Sequence, residues 1–568
     1  MRRDRVRWLA SAAFVAIAMA VPLTRDRVAA IVGLRNSYTC GSIVLLLSAA
    51  ALTRLWPAAD SDMDLRAYRW PTAWIGGAAL AFGLCFWMAS ALLPGLFGGP
   101  LDFYKADMLP VIEAGVREFL AGRTPYTRYD HIPWRPTLPY GPSLWLPFAL
   151  PVLAHSDLRL LTLAGYLIVI CACCFAIAYS VAARQWTLLL AVAGPTLLLA
   201  AHPDIHVFYP IAHTPAYWPV LFGFCLLLRA ERWTGAAATL GVLVSARTPM
   251  VSLVPVFLIA AYHRQRLTRG VLFAVGATAV GPFVPFILQN ARAVAYSMYG
   301  TYQETVKGFV WQTSSIFQTY GLTALLLEHD FSGVVELTQV VCLLTVYAVA
   351  WRALAARRNP LPWLALALLV FSLTAIWPVI YLYFDVWVLL VSGLAVTAVP
   401  IQAVRRRTAA YAAVAVIAVP LVTIATAARI KPGTSYTIDV GTPAAAPLTG
   451  GGFGQDTVSM EGARSFVWVE GTTARIRLPR AAWSGATVRL ELRPYEPFDG
   501  VRQRVTASVN EVGIGTTLLQ PGWQEISFPA RRHLWVFGFN VLNLYFSYAL
   551  PGPGGRELSV AIDRITID

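Results

Sequence analysis

Long apolar runs alternate with short polar, arginine-bearing loops over the first three quarters of the chain, and near residue 430 the pattern changes to short segments of alternating character. About 20 apolar residues span the roughly 30 Å hydrocarbon core of a bilayer as a helix. Runs near 8–23, 38–56, 72–97, 160–182, 187–201, 215–230, 234–247, 250–262, 270–289, 333–351, 361–380, 384–401 and 409–427 therefore predict a polytopic α-helical membrane protein of about thirteen spans. GPSLWLPFALPVLA at 141–154 is too short to cross and carries Pro142, Pro147 and Pro151, so it is expected to dip into the outer leaflet.

After Arg429 a Gly/Pro/Ala-rich linker, 431–455, leads into SFVWVE, TARIRLP, TVRLELRP, RQRVTASVNEVG, WQEISFP, NVLNLYFSYA and LSVAIDRITID. Two-residue alternation between Gly and Pro turns predicts a β-sandwich over 456–568, with Arg475, Arg477, Arg502 and Arg504 on its polar face. The chain thus reads as a membrane domain, 1–430, a linker and a β domain.

Composition agrees: the chain is 57% hydrophobic and 13% charged, with a mean hydropathy of +0.58. Short cytoplasmic loops hold excess Lys and Arg. With about thirteen spans, one side receives Arg2, Arg3, Arg5 and Arg7, then Arg184, Arg229, Arg232, Arg264, Arg266, Arg269, Arg352, Arg357, Arg358, Arg405, Arg406 and Arg407. That side is expected to be cytoplasmic, with the N-terminus; the loop at 24–36, with Arg25, Arg27 and Arg35, is the exception. The first helix shows no small-residue cleavage site and is read as retained. The β domain then lies outside the cytoplasm, and the expected residence is a plasma membrane.

The net charge of +15 follows from this loop bias, because residues 427–568 contribute only +2 of it; no nucleic-acid partner is implied. All seven cysteines lie in or beside apolar spans, so neither a disulfide framework nor a zinc site is expected, and Cys171, Cys173 and Cys174 read as core packing.

Candidate chemistry gathers in the first large extracytoplasmic loop, 98–158, which opens with Asp102 directly after an apolar span. A carboxylate at a membrane boundary is expensive and usually faces a cavity where it acts. The following residues predict an amphipathic helix at 106–121, flat on the bilayer and roofing a cavity, and then a Pro/aromatic stretch.

The order Asp102, Phe103, Tyr104, then Gly122-Arg-Thr-Pro125-Tyr126, then Tyr140-Gly-Pro142 before an apolar helix resembles the integral-membrane GT-C glycosyltransferases, and among them the bacterial polyprenol-phosphate-mannose-dependent mannosyltransferases. Residues 202–266 are similar to the same family's succession of polar outer loop, Leu-rich helix, basic turn, Gly/Ala-rich helix and a basic residue near Pro. The likeness covers most of 72–430 and rests on individually loose motifs. Relatives tend to have Gly-Gln or Gly-Asn where this chain has His202, Pro203, Asp204 and His206, which leaves the sugar open.

The resemblance implies a GT-C fold and inverting transfer of a sugar, mannose first, from a polyprenyl-phosphate-sugar donor to a glycan or glycolipid acceptor at the outer face of the lipid bilayer. Asp102 matches the family's catalytic base. A positioned carboxylate can take the acceptor hydroxyl's proton as it attacks the anomeric carbon, and the leaving phosphate needs cationic partners. Arg247 is the first candidate for that phosphate and Lys105 the second; Tyr104, Tyr126, Tyr140, His202, Asp204 and His206 are the expected substrate-binding residues.

Blander readings stand beside these: a helix cap or ion-pair partner for Asp102, a snorkelling anchor for Arg247, a solvated position for Asp107, and loop caps for Asp130 and His131. His202, Asp204, His206 and His213 invite a metal, but a polar wall meeting sugar hydroxyls is the preferred reading; no metal site or cofactor is assigned, and the need for a divalent cation stays open. Glu304, Lys307, Tyr381, Tyr383 and Asp385 reach the same side without an assigned role.

The β domain resembles the carbohydrate-binding-module-like jelly rolls of some bacterial cell-wall glycosyltransferases, on Asn510, Gly522-Trp523 and the closing AIDRITID; Trp468, Trp483, Trp523 and Trp535 are its possible stacking platforms or core residues. The rival functions are a transporter or flippase of lipid-linked sugars, an arabinofuranosyltransferase of the same superfamily, and a non-catalytic assembly protein.

Overall fold

The computed structural model describes residues 2–57, 70–97, 106, 108–129, 135–154, 156–209, 211–308, 310–313, 319–399, 406–430, 436–443, 445–446, 448–461, 464–478, 486–495, 502–531, 534–535 and 540–568. Its helices are α1 (Arg2–Val32), α2 (Leu34–Leu55), α3 (Trp70–Phe97), α4 (Met108–Leu120), α5 (Pro142–Trp145), α6 (Ala149–Leu153), α7 (Arg159–Ala182), α8 (Trp186–Ala200), α9 (Pro203–Phe208), α10 (Trp218–Arg229), α11 (Trp233–Ala246), α12 (Leu253–His263), α13 (Arg269–Val280), α14 (Val284–Ala295), α15 (Thr301–Gly308), α16 (Leu322–Glu328), α17 (Val335–Ala355), α18 (Leu361–Leu373), α19 (Tyr381–Ala398) and α20 (Arg406–Ile430). Among the described residues, seven helical stretches are long and apolar enough to cross a membrane: Asp4–Val32, Leu34–Leu55, Ile75–Leu93, Arg159–Ala182, Arg269–Gln312, Ser332–Ala355 and Tyr381–Ala398. Shorter apolar helices of 10–17 residues accompany them, including Trp186–Ala200, Trp233–Ala246 and Thr248–His263.

The chain divides into two compact units. One comprises Met1–Met88, Met108–Leu150 and Leu161–Thr423; the other comprises Ala89–Asp107, Pro151–Leu160 and Ile424–Asp568. In the first, α10 packs on α11 and α19, α11 on α13 and α5, and α18 on α2 and α19. Prolines set many helix starts: Pro142, Pro203, Pro219 and Pro285 each stand in a first turn, where the absent N–H costs nothing. The segment 141–154 forms α5, a short 3-10 turn and α6; twelve helical residues reach about 18 Å, less than a bilayer core. The amphipathic helix is present as α4, burying Leu109, Ile112 and Val116 while Arg117 pairs with Glu113 on the polar side.

Strands fill the second unit: β1 (Tyr436–Asp439), β2 (Phe453–Glu461), β3 (Arg464–Glu470), β4 (Thr473–Leu478), β5 (Ala486–Pro494), β6 (Arg504–Val509), β7 (Val512–Leu518), β8 (Gln524–Ala530), β9 (Asn540–Phe546), β10 (Leu550–Pro551) and β11 (Glu557–Ile567). One sheet runs β2-β3-β11-β5-β8, with β1 and β10 also on β11; the other runs β4-β9-β6-β7, all antiparallel. Val488, Leu490, Ile562 and Ile565 of the first sheet and Ile476, Val505, Leu542 and Leu544 of the second belong to one buried apolar cluster. The predicted alternation is visible in β4, where Ala474, Ile476 and Leu478 are buried and Arg475 is exposed.

Candidate functional site

Arg247 follows the last turn of α11. It stands in an extended conformation at φ −147°, ψ 137°, between the end of α11 and the 3-10 turn Thr248–Ser252. Its Nη1 donates to Tyr217 Oη at 3.0 Å and to Asp385 Oδ2 at 3.3 Å. Tyr217 Oη donates to Asp385 Oδ2 at 2.6 Å, and Trp218 Nε1 donates to Asp385 Oδ1 at 2.9 Å. Asp385 is fully buried, and its two oxygens satisfy a cation, a phenol and an indole, as a buried carboxylate requires. The guanidinium carbon also lies 5.2 Å from the Tyr381 ring centre, a cation–π contact.

Two sequence motifs meet here. The Tyr140-Gly-Pro142 segment docks on Ser245-Ala-Arg247: Ser143 and Ser245 share a hydrogen bond at 2.5 Å, and a Cβ on Gly141 would stand 1.8 Å from the Ser245 carbonyl oxygen. Tyr140 lies tilted against His213, ring centres 4.3 Å apart, and the His213 ring is 6.4 Å from that of Tyr381. Gly165 of α7 performs a similar service below: its missing Cβ lets the Pro215 carbonyl approach to 2.1 Å of where that carbon would be, which seats the 214–217 turn. His213 is wholly buried, and burial together with the neighbouring Arg247 holds its pKa well below the ordinary histidine range.

The expected substrate-binding residues divide. Tyr140 stands against His213 and is partly exposed. Tyr126 is buried instead, donating to the Tyr140 carbonyl at 3.2 Å and accepting from Trp145 Nε1 at 3.3 Å, so it positions Tyr140 rather than facing a ligand. His202 is also fully buried: its Nε2 meets the Met19 carbonyl at 2.9 Å and its ring packs 4.8 Å from Trp387. His206 Nε2 meets the Ala200 carbonyl at 2.7 Å, and one oxygen of Asp204 is buried with no hydrogen-bond partner among the described residues. The expected polar wall of His202 and His206 is thus tied to backbone carbonyls, because α9 turns back on the end of α8; His213 is the histidine beside Arg247. Among the described residues no three His, Cys, Asp or Glu side chains are grouped to hold a metal.

Asp102, Tyr104 and Lys105 lie outside the described residues, as do Asp107, Asp130, His131 and Trp483. Sequence reasoning left Asp385 without a role; its signal was an aspartate inside an apolar run, which a membrane protein keeps only with a partner. Beside α4 and α14, Phe119, Leu146, Pro282, Pro285 and Phe286 line an apolar hollow of about 330 Å³ rimmed by Arg123 and Gln289. Trp145, whose indole holds Tyr126, packs on both Phe119 and Phe286, so one wall of this hollow is continuous with the support of Tyr140.

In the other unit, Asp157 and Arg159 form a second buried ion pair at the start of α7, with Arg159 N and Nε on Oδ1 at 2.8 and 2.9 Å and Nη2 on Oδ2 at 2.7 Å. On the β domain Trp523, Trp468 and Phe466 surround Arg493, each ring centre 5.2–5.4 Å from its guanidinium carbon, and Glu461 accepts from Trp523 Nε1 at 2.9 Å. Trp535 is buried.

No family model matches the chain, and no curated protein does. Among solved structures, a family GH115 4-O-methyl-α-glucuronidase with specificity for decorated arabinogalactans matches at 10% identity over 55% of this chain, with a TM-score of 0.16. The match spans 41% of that enzyme's chain, and at this score it carries no argument about fold or function.

Proposed function

We propose that the protein transfers one sugar, mannose first, from a polyprenyl-phosphate donor to a glycan or glycolipid acceptor at the extracytoplasmic face of a bacterial plasma membrane. In this reading the helical unit is a GT-C-like domain of about thirteen spans with a cytoplasmic N-terminus, and the β domain is an extracytoplasmic sandwich that guides the acceptor. The observation that carries it is the seating of Tyr140-Gly-Pro142 on Ser245-Ala-Arg247, which brings Tyr140 against His213, the neighbour of the buried Arg247.

The chemistry balances simply. Asp102 takes the acceptor hydroxyl's proton, the acceptor oxygen bonds the anomeric carbon, and the bond from that carbon to the phosphate oxygen breaks with its electron pair on the phosphate. Direct displacement inverts the anomeric carbon. Charge grows on the phosphate as it leaves, so a preorganised cation in a water-poor pocket lowers the barrier. Arg247 suits that task because Asp385, Tyr217 and Tyr381 fix it before substrate arrives.

Purified protein in lipid nanodiscs, given synthetic polyprenyl-phosphate mannose or arabinofuranose and a mixed-glycan acceptor with and without chelator, tests this reading. Sugar appearing on acceptor supports transfer and identifies the donor. No turnover with either donor, together with movement of lipid-linked sugar across proteoliposomes, would replace it by transport.

A further inference from the structure

Among the described residues, three buried polar atoms on His213, a neighbour of Arg247, and on the adjoining Thr214 have no hydrogen-bond partner: Nδ1 and Nε2 of His213 and Oγ1 of Thr214. Both residues are fully buried. A native structure rarely leaves adjacent buried polar groups unsatisfied, and where it does, a ligand, ion or water usually completes them. An apolar side chain of similar size would serve packing better at this position.

The neighbouring groups limit what the ligand is. Asp385 has both oxygens engaged by Tyr217, Trp218 and Arg247, so the carboxylate offers little to a donor. Arg247 spends only Nη1 on described partners. What remains on this side is a guanidinium edge, an imidazole with one N–H and one acceptor nitrogen, and a hydroxyl; the cationic edge with two further donors suits an anionic ligand.

We propose that His213 and Thr214 form the neutral half of an oxyanion pocket whose cationic half is Arg247, and that its ligand is the phosphate monoester of a polyprenyl chain. Burial and the adjacent guanidinium keep His213 uncharged, so it acts as an N–H donor and not as a second cation or a proton source. Tyr140, tilted against the imidazole and partly exposed, closes this pocket on one side. The inference rests on the glycosyl-transfer reading for the identity of the lipid, but its test requires no transfer.

Binding of a polyprenyl phosphate, the parent polyprenol and inorganic phosphate is measured on the full chain in nanodiscs, for the native protein, His213→Phe, His213→Gln and Thr214→Val. The native protein should prefer the lipid phosphate over both controls. His213→Phe should weaken that binding by about tenfold, the worth of one hydrogen bond to a charged group, and leave polyprenol binding unchanged. His213→Gln, which restores an N–H, should recover most of the loss, and Thr214→Val should show a smaller loss. Unchanged lipid-phosphate binding in both His213→Phe and Thr214→Val overturns the inference while leaving sugar transfer standing. Equal affinity for inorganic phosphate overturns the lipid assignment, and no phosphate-dependent binding by the native protein overturns the pocket, whatever the transfer assay reports.

Discussion

Gly141 and the Ser245 carbonyl touch so closely that a methyl group on Gly141 would stand 1.8 Å from the oxygen. This contact joins the loop before α5 to the end of α11, one residue after Tyr140 and two before Arg247. Gly141→Ala must push the segments apart, and a displacement near 1 Å at a catalytic constellation costs on the order of a hundredfold in rate. Sugar transfer should fall by that order while the apolar core elsewhere keeps the chain folded, as read by size-exclusion behaviour and thermal unfolding. Native turnover in Gly141→Ala would remove the docking from the mechanism.

The Arg247–Asp385 pair separates stability from function. Breaking a buried pair by removing one partner typically costs about 3–5 kcal/mol, whereas replacing both by apolar residues is often neutral. Asp385→Leu alone should therefore lower the unfolding midpoint strongly, and Asp385→Leu with Arg247→Met should restore much of it. Neither variant should transfer sugar. Activity in the double variant would show that Arg247 has only a structural role.

His213 gives a pH dependence with a definite sign. Its folded-state pKa lies below the unfolded value of about 6.5. Below that value the unfolded chain binds a proton that the folded chain resists, so the stability due to neutral His213 is complete above about pH 6.5 and is lost as pH falls. Unfolding midpoints taken from pH 7.5 to 5 should drop more steeply for native protein than for His213→Gln. Parallel slopes would mean that the imidazole titrates freely in the fold.

Trp523 belongs to an aromatic–arginine cluster and is not part of the β domain's apolar core. If the domain guides acceptor, Trp523→Ala should raise the acceptor KM severalfold, since an aromatic contact is worth about 0.5–1.5 kcal/mol, and leave kcat and donor binding unchanged. An unaltered acceptor KM would assign the cluster to packing.

Much of this architecture is legible in the chain because period and length are local properties. The run at 160–182 becomes α7, Arg159–Ala182, and TVRLELRP becomes β5 with Val488, Leu490 and Leu492 buried. Short runs were harder to bound: the stretch expected at 361–380 ends as helix at Leu373, where the Leu373 carbonyl lies 2.6 Å from the position a Gly321 Cβ would occupy. The site was legible only in parts. Arg247 and Tyr140 stood in motifs, but Asp385 is 138 residues from Arg247 and its hydrogen bonds to Tyr217 and Trp218 are entirely tertiary. His213 looked like a member of the His202–His206 patch because sequence proximity groups them; α9 folds the first two onto backbone carbonyls and leaves the third with Tyr140 and Tyr381.

In the proposed reaction the carboxylate of Asp102 removes the acceptor's proton. That step is tested most directly by single-turnover sugar transfer from polyprenyl-phosphate mannose with native protein and Asp102→Asn, alongside donor binding. Transfer lowered by about 10²–10⁴-fold, the usual worth of a general base, with donor binding intact, is the predicted result. Undiminished transfer by Asp102→Asn would contradict it.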